Sequence, residues 1–249
     1  MTGTVVSARG LTKEFSTGRQ RVLALRGVDF DVSPGEFLAL VGPSGSGKTT
    51  LLNLIGALDV PTAGELTVLG ERVAALSKRA RAHLRLHSIG FVFQAYNLVP
   101  VLTALENVEF VLELQGMGAG RRARAKDVLG ELGLGDLADR RIGELSGGQQ
   151  QRVAVARAVA ARPRLVLADE PTANLDGENA EILMHLMRDL RERHGMTFIF
   201  STHDQRVVNH AVRVVTLVDG RVARDEATPG EAPHEIVPGT GVPAVAARR

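Results

Sequence analysis

The segment from Gly42 to Thr49 constrains the fold of this chain more than any other feature of its sequence. It follows the pattern Gly-x-x-x-x-Gly-Lys-Thr and stands between an apolar run, Phe37–Val41, and a helical segment, Lys48–Leu58. A strand that leads through a glycine-rich loop into a helix start points backbone N–H groups at an anion, and the helix dipole favours negative charge there. We therefore predict a phosphate-binding loop, rather than a glycine-rich turn with an incidental lysine, beside a strand buried on both faces of a parallel sheet.

Each part of this phosphate loop has a predicted task. Its glycines let the backbone wrap closely round the phosphates, Lys48 places its charge at the β- and γ-phosphates, and Thr49 offers its hydroxyl to Mg²⁺. The residues predicted to contact the nucleotide here are Gly42, Pro43, Ser44, Gly45, Ser46, Gly47, Lys48, Thr49 and Thr50. By itself, the loop indicates binding of a nucleoside triphosphate and no particular use of it.

A second predicted strand ends in two carboxylates. Leu165–Ala168 is apolar, and Asp169 and Glu170 follow it directly. In open α/β sheets, ligands lie at the carboxyl ends of the strands, so both side chains are expected near the phosphates. Asp169 would hold Mg²⁺, directly or through water, and Glu170 would polarise the attacking water. The alternative is that the two carboxylates merely cap the next helix.

The composition excludes several kinds of site and segment. The 249 residues contain no cysteine, which rules out disulfides and thiolate metal sites. No apolar run approaches the roughly 20 residues of a membrane span. The start of the chain lacks the pattern of a secretory signal. We therefore expect a cytoplasmic protein that reaches a membrane only through a partner.

Basic residues cluster at Arg79–Arg85, Arg121–Lys126 and Arg188–Arg193, although the net charge is only +2. Such clusters bind nucleic acid or an anionic membrane in some proteins and are solvated helix faces in others. One tyrosine and no tryptophan offer little for the stacking of bases. We favour solvated helix faces and expect no nucleic-acid partner.

Turn residues and apolar periodicity divide the chain into successive parts. Short strands are predicted first, at Val5–Leu11, Val22–Leu25 and Val28–Val32, followed by a mainly helical stretch, Ala95–Glu144. Strands and helices then alternate. The predicted elements of this part are strands at Arg164–Ala168, Thr197–Ser201 and Val212–Val218, and helices at Gln149–Ala161 and Glu178–Arg193. Residues 226–249 are rich in Pro, Gly and Ala without periodicity, which predicts a loosely ordered tail.

The residues Leu145-Ser-Gly-Gly-Gln149 resemble the signature of the ABC ATPase family. Physically, this signature segment is also a serine-capped helix start, at which Ser146 and the amides of Gly147 and Gly148 form a second anion site. In the family, that site, here including Gln149, closes on the γ-phosphate held by the phosphate loop of another subunit. The resemblance therefore implies a homodimer that forms on ATP binding.

The remaining family elements follow in order, and the resemblance covers roughly residues 4–225. Phe15 stands where the family has an aromatic residue that stacks on adenine, although an ordinary apolar residue at a strand end is the alternative. Gln94 resembles the Q-loop glutamine, which meets Mg²⁺ and the nucleophilic water. Ala173–Asp176 resembles the D-loop at the dimer interface and puts Asp176 among the nucleotide-binding residues. His203 resembles the switch histidine that contacts the γ-phosphate.

The resemblance also implies the architecture. It predicts an α/β fold, a P-loop NTPase (RecA-like) core with an N-terminal antiparallel β subdomain and an inserted helical subdomain at about residues 95–160. Residues 1–225 would form this single ABC ATPase domain.

The implied chemistry is phosphoryl transfer from ATP to water, with ATP and Mg²⁺ as cofactors. The catalytic residues would be Glu170, His203 and Gln94. The metal would be held by Thr49, Gln94 and Asp169.

Two segments indicate a subgroup within the ABC ATPase family. Tyr96–Val108 and Leu58–Gly64 are similar to the corresponding segments of ATPases of the lipoprotein-release and macrolide-efflux type. Such ATPases imply an integral membrane permease on a separate chain and a location at the inner face of the cell membrane. A soluble ABC ATPase that acts on DNA or ribosomes is the alternative. The sequence does not indicate the transported substrate or the direction of transport.

Overall fold

The computed structural model describes residues 3–17 and 20–228. The strands are β1 Val6–Thr17, β2 Gln20–Val32, β3 Phe37–Val41, β4 Ala63–Val68, β5 Glu71–Arg72, β6 Ile89–Val92, β7 Leu165–Asp169, β8 Thr197–Ser201, β9 Arg213–Val218 and β10 Arg221–Ala227. The α-helices are α1 Lys48–Ile55, α2 Lys78–Ser88, α3 Ala104–Leu114, α4 Arg121–Glu131, α5 Gly147–Val159, α6 Gly177–His194 and α7 Gln205–His210.

Two sheets organise these elements. The first has four strands in the order β2-β1-β4-β5, and all of its pairings are antiparallel. The second has six strands in the order β10-β9-β3-β8-β7-β6, and only the pairing of β10 with β9 is antiparallel. Together with the helices of the middle segment, the sheets confirm the predicted α/β core with its antiparallel β subdomain and helical insertion.

The central strands of the larger sheet are buried on both faces. In β8, for example, Phe198 and Phe200 pack into a core that includes α3, α4 and α5, whereas Ile199 packs into a second core with α1 and the antiparallel sheet. Successive side chains of a strand point to opposite faces, so a strand with both faces covered needs the uninterrupted apolar run that the sequence contains. This burial fixes the ends of β3, β7 and β8 relative to one another.

The first two strands are longer than predicted. β1 and β2 replace the separate strands expected at Val5–Leu11, Val22–Leu25 and Val28–Val32. Their pairing shifts register near Gly10 and near Gly27, whose φ values are +55° and +82°. Glycine adopts this left-handed conformation without steric cost and absorbs an extra residue as a β-bulge, so the strands continue past both positions.

The helical subdomain begins at a capping box. The Thr103 hydroxyl accepts a hydrogen bond from the backbone N–H of Glu106 (3.1 Å), and the Glu106 carboxylate accepts one from the Thr103 N–H (2.8 Å). These bonds satisfy donors at the start of α3 that have no partner within the helix. The buried faces of α3, α4 and α5 then share one core with the larger sheet.

Two helices were not predicted from the sequence. Leu84 is the only residue of α2 that is buried, so the sequence of this helix lacks the apolar periodicity that would predict it. The helix α7 is only six residues long. The predicted helix Lys48–Leu58 ends earlier, at Ile55, because Gly56 caps it and Ala57 has a left-handed φ of +52°.

The basic clusters lie on helices, as expected for solvated faces. On α4, Arg121 and Arg122 both form ion pairs with Glu109 of α3. On α6, Arg188 pairs with Glu192, and Arg191 donates a hydrogen bond to the Gly35 carbonyl at 2.6 Å. Much of this positive charge therefore has partners within the chain.

Residues 226 and 227 of the predicted tail form the end of β10, where they pair with β9. The rest of that prediction, from residue 229 onwards, lies outside the described residues. Within the described part of the chain, no helix combines the length and apolar character needed to cross a bilayer.

Candidate functional site

One edge of the larger sheet gathers the predicted site residues. The strands β3, β6, β7 and β8 are mutually parallel through their pairings, so their carboxyl ends meet at this edge. A cavity of about 560 Å³ lies there, lined by Ala24, residues 42–50, Gln94, Glu170, Ser201 and His203. The phosphate loop therefore faces Gln94, Glu170 and His203, although these parts of the site are far apart in the sequence.

At two positions of the phosphate loop, only glycine fits against a neighbouring backbone carbonyl group. Gly42 has φ +147°, and a Cβ there would lie 2.1 Å from the Leu217 carbonyl oxygen. Gly47 has φ +103°, and a Cβ there would lie 2.7 Å from the Ala24 carbonyl oxygen. Both positions combine a left-handed backbone with a backbone oxygen in the way, so any side chain would displace the loop.

Lys48 lies against its own loop. Its ammonium group donates hydrogen bonds to the carbonyl oxygens of Gly42 (2.8 Å) and Pro43 (3.1 Å). Only 9% of the residue is exposed. The positive charge is thus held at the cavity by backbone dipoles, where an anion can replace the two carbonyls as its partner.

Thr49 and Asp169 form a cluster of oxygen atoms beside the loop. The Thr49 hydroxyl lies 3.2–3.3 Å from the two carboxylate oxygens of Asp169. The hydroxyl oxygens of Ser46 and Ser201 are buried and have no hydrogen-bond partner among the described residues. Hydroxyl and carboxylate oxygens are the ligands that Mg²⁺ prefers, and unpartnered buried hydroxyls suit a polar ligand, so this donor set fits a magnesium–phosphate group.

Glu170 adopts a strained conformation at the end of β7. Its φ is +49°, a value that residues other than glycine rarely adopt, and its N–H donates to the Ser201 carbonyl at 2.8 Å. This bond joins the ends of β7 and β8. Backbone strain of this kind occurs mainly at functional sites, where the surrounding structure holds it in place.

Glu170 and His203 are in direct contact. The Glu170 Oε1 and His203 Nδ1 atoms are 2.7 Å apart, and the Thr202 hydroxyl lies 3.4 Å from Oε2. An ionised carboxylate can only accept, so Nδ1 donates and is the protonated ring nitrogen in this arrangement. The His203 side chain is 74% exposed, whereas that of Glu170 is 15% exposed. The histidine therefore covers the carboxylate from the solvent side.

Two side chains hold the backbone from Gln94 to Asn97, and one of them, Arg157, belongs to none of the sequence motifs. The Asn174 side chain of the D-loop donates to the Gln94 carbonyl oxygen at 2.9 Å. The guanidinium group of Arg157, on α5, donates to the carbonyl oxygens of Tyr96 (2.9 Å) and Asn97, both of which have positive φ. Burial lowers the pKa of Arg157. Arg157 of α5 thus stabilises two strained residues that follow Gln94 and Ala95.

The signature segment forms a capped helix start away from the cavity. The Ser146 hydroxyl accepts from the Gln149 N–H at 3.3 Å, and the Gln149 side chain accepts from the Ser146 N–H at 2.8 Å. A Cβ on Gly148 would lie 2.8 Å from the Asn179 side chain, and Gly147 also belongs to the first turn of α5. None of these four residues is among those that line the cavity.

Asp176 and Phe15 also lie outside the lining of the cavity. Asp176 caps α6 by accepting hydrogen bonds from the backbone and side chain of Asn179, both at 2.8 Å, and these bonds lower the pKa of Asp176. Phe15 is 41% exposed on β1, and the Lys13 ammonium lies 5.1 Å from the centre of its ring. An exposed ring of this kind is accessible for stacking on a base.

Asp204, which follows His203 in the sequence, links Thr172 to the start of α7 through hydrogen bonds. It accepts a hydrogen bond from the Thr172 hydroxyl at 2.9 Å and caps α7 through the Arg206 N–H at 2.9 Å. Hydrogen bonds from the Arg206 guanidinium, followed by these backbone and Thr172 bonds, lower the pKa of Asp204 to about 2 against the opposing effect of burial. The ionised carboxylate is therefore the form that the folded protein stabilises.

Replacing Asp204 by Asn should lower the thermal stability by a few degrees at neutral pH, because the amide can still cap the helix but has no charge. The folded pKa lies below the unfolded value of about 3.9, so this stabilisation is complete above that pH and is lost as the pH falls towards 2. Melting curves at about pH 7, 5 and 3 measure the difference from the original protein. A difference that did not shrink at the lowest pH would contradict the proposed role of the charge.

Comparisons with known proteins agree with this geometry. A family model described as ABC transporter matches residues 25–173. The lipoprotein-releasing system ATP-binding protein LolD 1 of Caulobacter vibrioides is 48% identical over 91% of this chain and 97% of its own length. The macrolide export ATP-binding/permease protein MacB of Marinobacter nauticus is 44% identical over 95% of this chain, which corresponds to 36% of that protein.

Among solved structures, a dimeric post-hydrolysis state of the ATP-binding cassette MJ0796 bound to ADP and Pi is 42% identical to this chain. The match covers 91% of this chain and 100% of that one, with a TM-score of 0.84. Sequence, fold and the geometry of the phosphate loop thus agree. The chain belongs to the ABC transporter family and is an ATP-binding ATPase subunit of the type that the LolD and MacB relatives represent.

Proposed function

We propose that two copies of this chain bind two ATP molecules between them, hydrolyse them, and thereby drive a separate integral membrane permease. The observation that best supports this proposal is that the predicted nucleotide-binding residues lie in two separate places on one chain. The phosphate loop, Gln94, Glu170 and His203 surround one cavity, whereas the signature segment lies outside it. A second anion site at the start of α5 would be completed only by the phosphate loop of another copy.

In this proposal, the backbone amides of the phosphate loop and the charge of Lys48 hold the phosphates, and Phe15 stacks on adenine. Thr49, Asp169 and Gln94 would hold Mg²⁺, whose charge would neutralise the β- and γ-phosphates. Their oxygen atoms suit a hard cation. The lysine would exchange its two carbonyl partners for phosphate oxygens.

The hydrolytic step would depend on Glu170 and His203. The Glu170 carboxylate would orient the attacking water and accept its proton, and His203 would hold the carboxylate in place through the existing 2.7 Å contact. Gln94 would orient the same water. From the other copy, Ser146, Gly147, Gly148 and Gln149 would contact the γ-phosphate, with Asp176 at the interface between the copies.

The head-to-tail arrangement can be tested in a Glu170→Gln background, in which ATP persists. We expect this protein to be dimeric with ATP and Mg²⁺, and the further change Ser146→Arg to leave it monomeric although each chain still binds ATP, with an affinity lowered only by the contribution of the dimer contacts. The reason is that the arginine would block the signature segment without touching the phosphate loop of the same chain. Light scattering after size-exclusion chromatography measures the mass, and titration calorimetry measures the affinity.

Ser77→Arg is the matched control for this experiment. Ser77 caps α2 through the Ala80 N–H at 3.2 Å, as Ser146 caps α5 through the Gln149 N–H at 3.3 Å, so both changes remove an equivalent cap. The control should still form the ATP-bound dimer. A dimer that persisted with Ser146→Arg would rule out the proposed interface.

Exposed apolar side chains support the proposal of a membrane partner. Phe110 and Leu114 are 47% and 57% exposed and lie one turn apart on α3, and Val101, just before that helix, is 77% exposed. Apolar surface of this kind marks interaction sites when it is grouped. It belongs to the proposed helical subdomain, residues 95–160 of the proposed single domain 1–225, and follows the Q-loop in sequence. A contact with the permease here would lie next to the nucleotide site.

The partner would place the chain at the cytoplasmic face of the membrane. On co-expression with a permease encoded beside it, Leu114→Asp should abolish co-purification, because a charge would be buried in an apolar interface. Ile182→Asp on α6 is the control, since Ile182 is also an exposed helical aliphatic residue (39%). The named LolD and MacB relatives favour this transport function over a soluble ATPase that acts on DNA or ribosomes.

A further inference from the structure

Two histidines and a glutamate meet between α6 and α7, and the proposed ATPase mechanism uses none of them. Glu181 and His185 are four residues apart on α6, so their side chains lie on the same side of the helix. His210 is the last residue of α7. One side-chain nitrogen or oxygen atom of each residue lies within 4.8 Å of those of the other two.

We propose that Glu181, His185 and His210 form a binding site for a divalent transition-metal cation of the Zn²⁺ type. Two imidazoles and one carboxylate are a ligand set that such cations accept, with a fourth position left for water. Tetrahedral bonds of about 2.0–2.2 Å require ligand atoms roughly 3.4 Å apart. The three atoms already lie within 4.8 Å of one another, so small side-chain rotations would bring them towards this arrangement.

His210 already contacts both of the other proposed ligands. The His210 Nε2 and Glu181 Oε2 atoms are 2.8 Å apart, and the rings of His185 and His210 meet edge to face with centres 4.9 Å apart. The ionised carboxylate can only accept, so the Nε2 atom of His210 is its proton donor. On binding of a cation, the neutral His210 ring would carry its proton on Nδ1, so that Nε2 and the Glu181 carboxylate could both bind the cation, with His185 as the third ligand.

The surroundings allow a cation to enter. The Glu181 side chain is 46% exposed, His185 is exposed, and the His210 side chain is 11% exposed. The neighbouring cation is Arg206, whose guanidinium group donates to Asp204 from Nε at 3.0 Å and from Nη2 at 2.8 Å. Glu181 and Asp176 add to the negative potential at Arg206. The positive charge of the arginine is therefore balanced by these carboxylates.

The ligand set would distinguish this site from the proposed nucleotide site. Mg²⁺ prefers all-oxygen ligands, as at Thr49 and Asp169, whereas imidazole nitrogen suits Zn²⁺ and its neighbours in the transition series. A bound cation would also join α6, which starts at the cap Asp176, to α7, which starts just after the cavity residue His203. Binding to the folded state alone would raise the melting temperature.

Titration of the full chain, prepared without a histidine tag, with ZnCl₂ tests the proposal. We expect one Zn²⁺ ion per chain, a higher melting temperature with Zn²⁺, and no displacement by excess Mg²⁺. His185→Ala should weaken binding by more than about 100-fold, because even the loss of an outer-shell partner of a metal ligand costs about 10- to 100-fold. Glu181→Gln should also weaken it, since the amide supplies no charge.

His87→Ala is the matched control, because His87 is also an exposed histidine whose ring contacts that of a second histidine, His83, at 4.1 Å on α2. It removes one exposed histidine and should leave the binding of Zn²⁺ unchanged. Equal melting temperatures of all variants in a chelator would show that each is folded. The proposal is overturned if the original chain does not bind Zn²⁺, if His185→Ala binds it as tightly, if His87→Ala abolishes binding, or if Mg²⁺ displaces it.

Discussion

Replacing Glu170 by Gln is expected to lower the ATP turnover number by about 100- to 10,000-fold while ATP still binds. Glutamine has the length and shape of glutamate, so it can keep a hydrogen bond to His203 and the same left-handed backbone. It cannot accept a proton from water, however, and its lack of charge removes the field that orients the water. The loss should therefore appear in the rate of hydrolysis and leave the nucleotide affinity largely intact.

Phosphate release under saturating ATP and Mg²⁺ measures the turnover number, and titration calorimetry measures the affinity of the same preparation. Glu65→Gln is a suitable control, because Glu65 is an exposed carboxylate on β4 that pairs with Arg72. It should hydrolyse ATP like the original chain. Turnover by Glu170→Gln at the original rate would remove Glu170 from the proposed catalytic role and leave its strained backbone unexplained.

The parts of the site that the sequence predicts are those set by local pattern. The glycines and Lys48 of the phosphate loop stand within one short segment, and Asp169 and Glu170 directly follow an apolar strand. Parallel strands bring their carboxyl ends to one edge, so the meeting of these segments follows from the sequence pattern alone. The cavity lined by the phosphate loop, Gln94, Glu170 and His203 agrees with that expectation.

The contacts between these segments could not be predicted in the same way. The hydrogen bond between Glu170 and His203 joins residues 33 positions apart, and that between Asn174 and Gln94 joins residues 80 positions apart. Such contacts depend on register and on side-chain rotamers, neither of which leaves a periodic signal in one sequence. The same holds for Arg157, whose partners are backbone carbonyls and thus independent of residue type.

In the fold, too, the elements set by local sequence pattern were predicted and those set by tertiary contacts were not. The apolar runs of β3, β7 and β8 predicted buried strands because burial on two faces requires them. The helix α2 was not predicted because Leu84 is its only buried side chain, and β1 and β2 are longer than predicted because their pairing continues past the bulges near Gly10 and Gly27. In both cases the tertiary structure decides what the local sequence leaves open.

Replacing Lys48 by Met is expected to weaken ATP binding by about 10- to 100-fold, since hydrogen bonds from a charged group to a ligand contribute about 1.5–3 kcal/mol. Methionine retains much of the length and apolar volume of the buried stem but has no charge. In the nucleotide-free chain, the ammonium group is bonded to the Gly42 and Pro43 carbonyls. Its removal therefore also frees two loop carbonyls, and the melting temperature without nucleotide must be measured to separate the two effects.

Lys78→Met separates the loss of phosphate binding from a general loss of positive charge. Lys78 is exposed on α2 and is not among the residues that line the cavity, so its replacement should leave the affinity for ATP unchanged. Lys48→Arg makes a sharper comparison, because the broad guanidinium group retains the charge but is a poor substitute for a compact ammonium. If charge alone mattered, arginine would restore binding; because Lys48 is only 9% exposed, we expect the broader guanidinium group not to fit and Lys48→Arg to bind ATP weakly too. Unchanged affinity in Lys48→Met would contradict the assignment of this loop to the phosphates.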